Sequence, residues 1–275
     1  MIRDLIYPDD AQKVYDAFVK GLEYDAAFAI LSNTIKTLPP LGEQPDFSTG
    51  IRFGGREADI AVRKDAPGLF SRFALISMIT RIEEFNRLLL LQRYVLEELK
   101  TTGKKMISSK MWSIRKKITK DIRQNAVDQI ITKLLIMQPS TELIKQVSWL
   151  TGLNKVRNCL VHSRGIVQIE DVKERGVPIE NVKDTDVLKT KWIRAKASVG
   201  GKEIESFPYQ NQTSNEVQLN ISFEEYERSW KIGETIHITP LECQGIAQSL
   251  ALLGLRVLSE FKIEMNQILG INRLA

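Results

Sequence analysis

Arg157, Asn158 and His162 lie within the stretch Val156-Arg157-Asn158-Cys159-Leu160-Val161-His162, and His162 is one of two histidines in the chain. Histidine titrates close to neutral pH and can take a proton from a ribose 2′-hydroxyl. A guanidinium fork can hold a phosphate and the charge that builds on its oxygens. The amide beside them can fix the imidazole or position the phosphate. The set suits RNA cleavage without a metal: the 2′-hydroxyl attacks, leaving a 2′,3′-cyclic phosphate and a 5′-hydroxyl. DNA lacks that nucleophile and should be spared. The plainer alternative is a packed or capping histidine on a helix that also carries an arginine.

These residues need a helix beneath them. At 3.6 residues per turn, Asn158 and His162 fall about 40° apart around the axis, and the long stem of Arg157 brings its head toward the same edge. Ser140 can cap that helix. It runs through Leu143, Val147, Leu150, Val156 and Leu160 to a stop at Gly165, with Gly152 as a weak point. A second helix, residues 68 to 100, carries Leu69, Phe73, Ile76, Ile79, Ile82, Phe85, Leu89 and Leu96 over a broad face, which makes it central. Glu83 and Glu84 interrupt its apolar pattern. Either could orient Arg157 or His162; the alternative is an exposed ion-pair stripe from Glu83 to Arg87.

The remaining pattern is helical at both ends. Residues 9 to 36 repeat apolar side chains at helical spacing, from Val14 and Phe18 to Leu31 and Ile35, before Pro39-Pro40. Residues 37 to 67 are rich in Pro and Gly and predict a long loop, with a short strand at Ile60 to Arg63. The Gly54-Gly55 pair lacks the Lys-Ser/Thr of a phosphate loop and receives no nucleotide role. Residues 111 to 138 predict another helix. After Gly165 the period changes: IVQIEDV, VLKTKWIRAKAS, KEIESF, EVQLNISF and ETIHIT predict strands. His237 falls in the last of these as a sheet residue. Thr239-Pro240-Leu241-Glu242 forms a capping box for a final helix bearing Ile246, Leu250, Leu253, Val257, Phe261, Met265 and Leu269. The expectation is a mainly α fold: a helical bundle from residues 1–165 and 240–275, with a small antiparallel β insertion at 166–239 before the C-terminal helix.

Between Lys100 and Arg123 the chain is strongly basic, with Lys110, Arg115, Lys116, Lys117 and Lys120 around Trp112 and one acid, Asp121. The net charge of the chain is +5, so the rest is slightly acidic. A basic surface with an aromatic can follow a phosphate backbone and stack a base. Together with Arg164 these are the candidate RNA contacts. The alternative is a solvated face with Trp112 as a core anchor.

Cys159 and Cys243 have neither disulfide-framework nor metal-ligand spacing and read as buried thiols of a reducing compartment. The N-terminus predicts no secretory signal, and Leu88 to Leu91 is too short to span a bilayer, so a cytoplasmic protein without membrane contact is expected. No cofactor or metal is called for.

The stretch Arg157 to His162, with its apolar lead-in Leu153 and Val156, resembles the R-x4–6-H motif of the HEPN superfamily. That resemblance implies an all-α bundle with the motif on a late helix, in many members an insertion before the final helix, and a metal-independent endoribonuclease. Such enzymes act as toxins, phage-defence effectors or RNA-processing factors, usually as dimers and sometimes with an antitoxin partner. It also implies a polar residue on the facing helix, here Glu83 or Glu84, and a composite site with Arg157 and His162 from two copies. Position 164, where one toxin subclass has a tyrosine, holds Arg164. The competing expectation is a non-catalytic HEPN-like module that binds RNA or a nucleotide, or dimerises.

Overall fold

The two longest apolar patterns in the chain become its central helices. A computed structural model describes residues 8–37, 56–102, 112–114, 116–117, 119–120, 127–134, 140–174, 176–183, 185–199, 202–204 and 219–269. Helix α1 spans Pro8–Thr37, α2 Arg56–Thr102, α3 Val127–Leu134, α4 Thr141–His162, α5 Ile169–Val172 and α6 Pro240–Leu269. Three strands, β1 Val187–Val199, β2 Lys202–Ile204 and β3 Leu219–Lys231, form an antiparallel sheet in the order β2-β1-β3. The fold is mainly helical with one small sheet, and no helix among the described residues is long and apolar enough to cross a membrane.

α2 buries Leu75, Met78, Ile79, Ile82, Phe85, Leu89 and Leu90 against α1 and α6. Phe85 stacks on Phe18 of α1 with ring centroids 4.9 Å apart. Burial of one such side chain contributes roughly 1.5–3 kcal/mol, so this stripe fixes where α2 sits. The expected face is buried at Ile79, Ile82, Phe85, Leu89 and Leu96, but its N-terminal end is not, for Leu69 and Phe73 are exposed. On α1, Phe18 and Leu22 are buried as expected, but Phe28 and Leu31 face outward. α6 buries the predicted face from Ile246 to Met265. Its start is the predicted capping box: Glu242 N donates to Thr239 Oγ1 at 3.2 Å, and Thr239 N donates to Glu242 Oε2 at 2.8 Å.

The expected loop over 37–67 is corrected at its end. Residues 56–67, including the supposed strand Ile60 to Arg63, are the first turns of α2, and Pro67 lies inside the helix. The stretch 38–55, with Gly54-Gly55, lies outside the described residues. Of the predicted helix 111–138, helical turns at Trp112–Ile114, Lys116–Lys117 and Thr119–Lys120 and the helix α3 are described. IVQIEDV is not a strand: Ile166 forms one isolated bridge to Thr235, and Ile169–Val172 turns into α5, with Asp171 accepting from Gln168 N at 2.9 Å. ETIHIT likewise contributes only that bridge.

The sheet belongs to the same core as the helices. Along β1, Leu188, Thr190 and Trp192 are buried while Lys189 and Lys191 are exposed, the period of two expected for a half-buried strand. Leu188 pairs with Trp230 and Trp192 with Tyr226 on β3, the latter two rings stacked at 6.3 Å. α6 closes part of the other edge of β1. Ile193 N donates to Ser249 Oγ at 2.7 Å, and Ala195 N donates to Gln248 Oε1 at 2.9 Å. α4 packs on β1 so closely that a Cβ on Gly152 would lie 2.7 Å from Lys189 O. The weak point at Gly152 therefore does not break α4; only a glycine lets the strand approach there.

Candidate functional site

α4 carries the candidate residues, and its ends explain their positions. Ser140 Oγ accepts a hydrogen bond from Leu143 N at 3.2 Å and starts the helix. Leu143, Leu150, Leu153, Val156, Cys159 and Leu160 face the core. The opposite edge of the last two turns is left with Arg157, Asn158 and His162. Ser163 N and Gly165 N both donate to Cys159 O, at 2.9 and 3.0 Å, and Gly165 (φ 79) closes the helix in the left-handed region. Arg164 precedes it at φ 54, an uncommon conformation for a residue with a side chain.

Glu83 of α2 meets Arg157 of α4. Arg157 Nη2 donates to Glu83 Oε1 at 2.7 Å, and Nη1 donates to Asn158 Oδ1 at 3.0 Å. A guanidinium has five N–H donors, so each terminal nitrogen keeps a second hydrogen. Arg157 Nε is buried and finds no hydrogen-bond partner among the described residues. The pair lies partly open to solvent, with 21% of the Arg157 side chain and 29% of the Glu83 side chain exposed. Burial raises the pKa of Glu83 above the ordinary carboxylate value, and the charge and hydrogen bond of Arg157 oppose that rise.

Adjacent residues on a helix point about 100° apart, so only one of two neighbouring glutamates can face α4. Glu84 is the one that does not. It is exposed, and Arg87 Nε donates to its Oε2 at 2.6 Å. The expected stripe partner of Arg87 is thus Glu84, and Glu83 is free to turn inward. His162, the last residue of α4, is exposed, and its side chain makes no hydrogen bond or ion pair with the described residues. Val161 and Ile166 beside it are exposed, at 47% and 42%.

The basic candidates form a separate group. Trp112 is 60% exposed, so it is not a core anchor. Lys116 Nζ stands 3.6 Å above its ring, and Lys117 Nζ stands 4.0 Å above the ring of Tyr94 on α2. Lys120 is exposed; Lys110 and Arg115 lie outside the described residues. Tyr94 is eleven residues beyond Glu83, about 16 Å along the helix, so this group is not joined to Arg157. Arg164 is exposed just past His162 and does sit at the α4 end.

Sequence reasoning passed over Arg72, which had no signal beyond being one arginine in a long helix. Its Nη2 donates to Ile236 O at 3.3 Å, and its head lies 3.7 Å from where a Cβ on Gly165 would stand. His237 is likewise not in the sheet. It lies in an irregular segment between buried Ile236 and Ile238, and Ile236 N donates to Gly165 O at 2.7 Å. Both histidines therefore flank the C-terminal end of α4. Cys159 is buried there; burial first, and then the charge of Asp171 and a hydrogen bond with it, push its thiol up to about 12. Burial does the same to Cys243, also to about 12. Neither is a ready nucleophile. Among the described residues, no group of three or more His, Cys, Asp or Glu side chains could hold a metal ion. Comparison of the chain with protein-family models, with curated proteins and with solved structures finds no match.

Proposed function

We propose that the protein is a metal-independent endoribonuclease of HEPN type, with Arg157 and His162 as its catalytic residues. The observation that carries this reading is the C-terminal edge of α4. A guanidinium held by a carboxylate from α2 and an amide on its own helix stands five residues, about 1.4 helical turns, before an exposed, unengaged imidazole.

In the proposed reaction the 2′-oxygen forms a bond to phosphorus and the bond from phosphorus to the 5′-oxygen breaks. One imidazole takes the proton of the 2′-hydroxyl, and a protonated imidazole gives one to the leaving oxygen. Arg157 spreads the charge of the crowded phosphate over its free N–H groups. Glu83 fixes the fork and lowers its net charge, so it is a positioning residue. The reaction needs two imidazoles, and a two-fold copy would bring a second His162. Val161 and Ile166, exposed beside His162, favour such a contact. RNA would run from the α4 end toward Lys116, Lys117 and Trp112. A protein antitoxin would act by covering the α4 end.

Incubation of the full chain with total RNA in EDTA tests the proposal. Cutting that produces 2′,3′-cyclic phosphate ends and falls by about two orders of magnitude or more in His162→Ala and in Arg157→Ala is expected. Binding of RNA without cutting would favour the non-catalytic reading instead, and cutting that persists in both variants would remove these residues from the chemistry.

A further inference from the structure

We propose that the cleft between the first half of α2 and the segment entering α6 is a binding site for a nucleoside phosphate, supplied by the RNA strand beside the cut. The cleft has a volume of about 890 Å³ and is open to solvent. That is within the roughly 300–1,000 Å³ of small-molecule sites. Lys64, Arg72 and His237 line it, with Asp65 as the one carboxylate among its lining residues.

The two cations and the imidazole are placed for an anion. Arg72 lines the cleft, is steadied by its bond to Ile236 O, and keeps further N–H donors for an anion. Lys64 and His237 make no ion pair with the described residues. The cleft also has apolar walls. Leu69 and Leu241, each 50% exposed, are the kind of surface on which a base can lie. A phosphate on the cations with a base on the leucines uses both parts of the lining; a free inorganic anion would use only one.

The position ties this cleft to the α4 end. Ile236, next to His237, is bonded to Gly165, three residues after His162. The choice of RNA as the source rests on the ribonuclease reading; the nucleoside phosphate chemistry of the cleft does not.

The test uses the full chain carrying His162→Ala, so that nothing is cut, and titrates adenosine 5′-monophosphate, adenosine, inorganic phosphate and a 2′-O-methyl RNA tetranucleotide. The monophosphate should bind more tightly than adenosine or phosphate. Lys64→Gln and His237→Gln, both at exposed positions, should each weaken it about tenfold, the loss of one hydrogen-bonded contact to the phosphate. A parallel loss for the tetranucleotide supports RNA as the source; a loss confined to the monophosphate keeps the site but overturns RNA as its source. Monophosphate affinity unchanged in both variants, or no binding at millimolar concentration, overturns the site. RNA cutting by the parent chain is scored separately, so the cleft and the nuclease can fail independently.

Discussion

Glu83 Oε1 lies 2.7 Å from Arg157 Nη2, across 74 positions of sequence, and this ion pair joins α2 to the end of α4. A charge-assisted bond at a partly exposed site orients a fork more than it strengthens a fold. The consequence for activity is a ranking. Arg157→Ala should lower RNA cutting by about two to three orders of magnitude, as loss of a charge-stabilising donor does. Glu83→Gln should cost about tenfold, and Glu84→Ala, whose partner is Arg87, should cost nothing. Initial rates on one labelled RNA decide it; equal losses for the two glutamates would refute the positioning role.

The same pair gives a pH signature. The folded pKa of Glu83 is raised, so the folded state holds its proton more tightly than the unfolded chain does. Its contribution to stability is complete below the ordinary value of 4.5 and is lost as the pH climbs through the raised folded value. Glu83→Gln removes that loss. The melting temperature of Glu83→Gln relative to the parent should therefore rise with pH across this window and then level off. A difference that falls with pH would mean that Arg157, not burial, dominates.

Gly152 predicts a packing defect. An added Cβ would meet Lys189 O at 2.7 Å, and backbone on both sides resists the shift. Gly152→Ala should destabilise by about 1–3 kcal/mol in spite of the better helix propensity of alanine. Denaturant unfolding measures it; a stabilised variant would show that β1 yields.

Arg164 sits at φ 54 directly before Gly165. Releasing a side chain from the left-handed region is worth about 1 kcal/mol, so Arg164→Gly should raise the melting temperature by about 2 °C. If Arg164 also contacts RNA, the stabilised variant should bind RNA more weakly. Gain in both stability and affinity would strip it of that role.

Lys116 and Lys117 rest on exposed or half-buried aromatic rings. Charge reversal of both should weaken RNA binding and reduce the dependence of log affinity on log salt by about one per lysine. Filter binding at two salt concentrations reads both quantities. An unchanged slope would detach this surface from the RNA path.

Period and capping made most of the helices legible. Thr239 and Glu242 announce α6, and Ser140 announces α4, because caps act within a few residues of sequence. The Pro and Gly content of residues 37 to 67 reads as a loop, yet α2 begins at Arg56 and runs through Pro67. Ile169–Val172 misled because a short apolar run with β-branched residues has no period of its own. At the site, Arg157, Asn158 and His162 were readable from spacing. The choice between Glu83 and Glu84 was not, since it depends on how α2 is rotated by Phe85 and Ile82 in the core. Arg72 and His237 were out of reach for the same reason. They meet through Ile236 and Gly165, a long-range pairing with no local trace.

The hold of Ser249 and Gln248 on β1 has a bearing on how molecules of this protein can meet. At Ile193 and Ala195 the donors that another strand would seek are already taken. An open strand edge invites swapping and runaway stacking between molecules. Along this stretch the invitation is withdrawn by two side chains of the last helix, so self-association is steered to other faces of the protein.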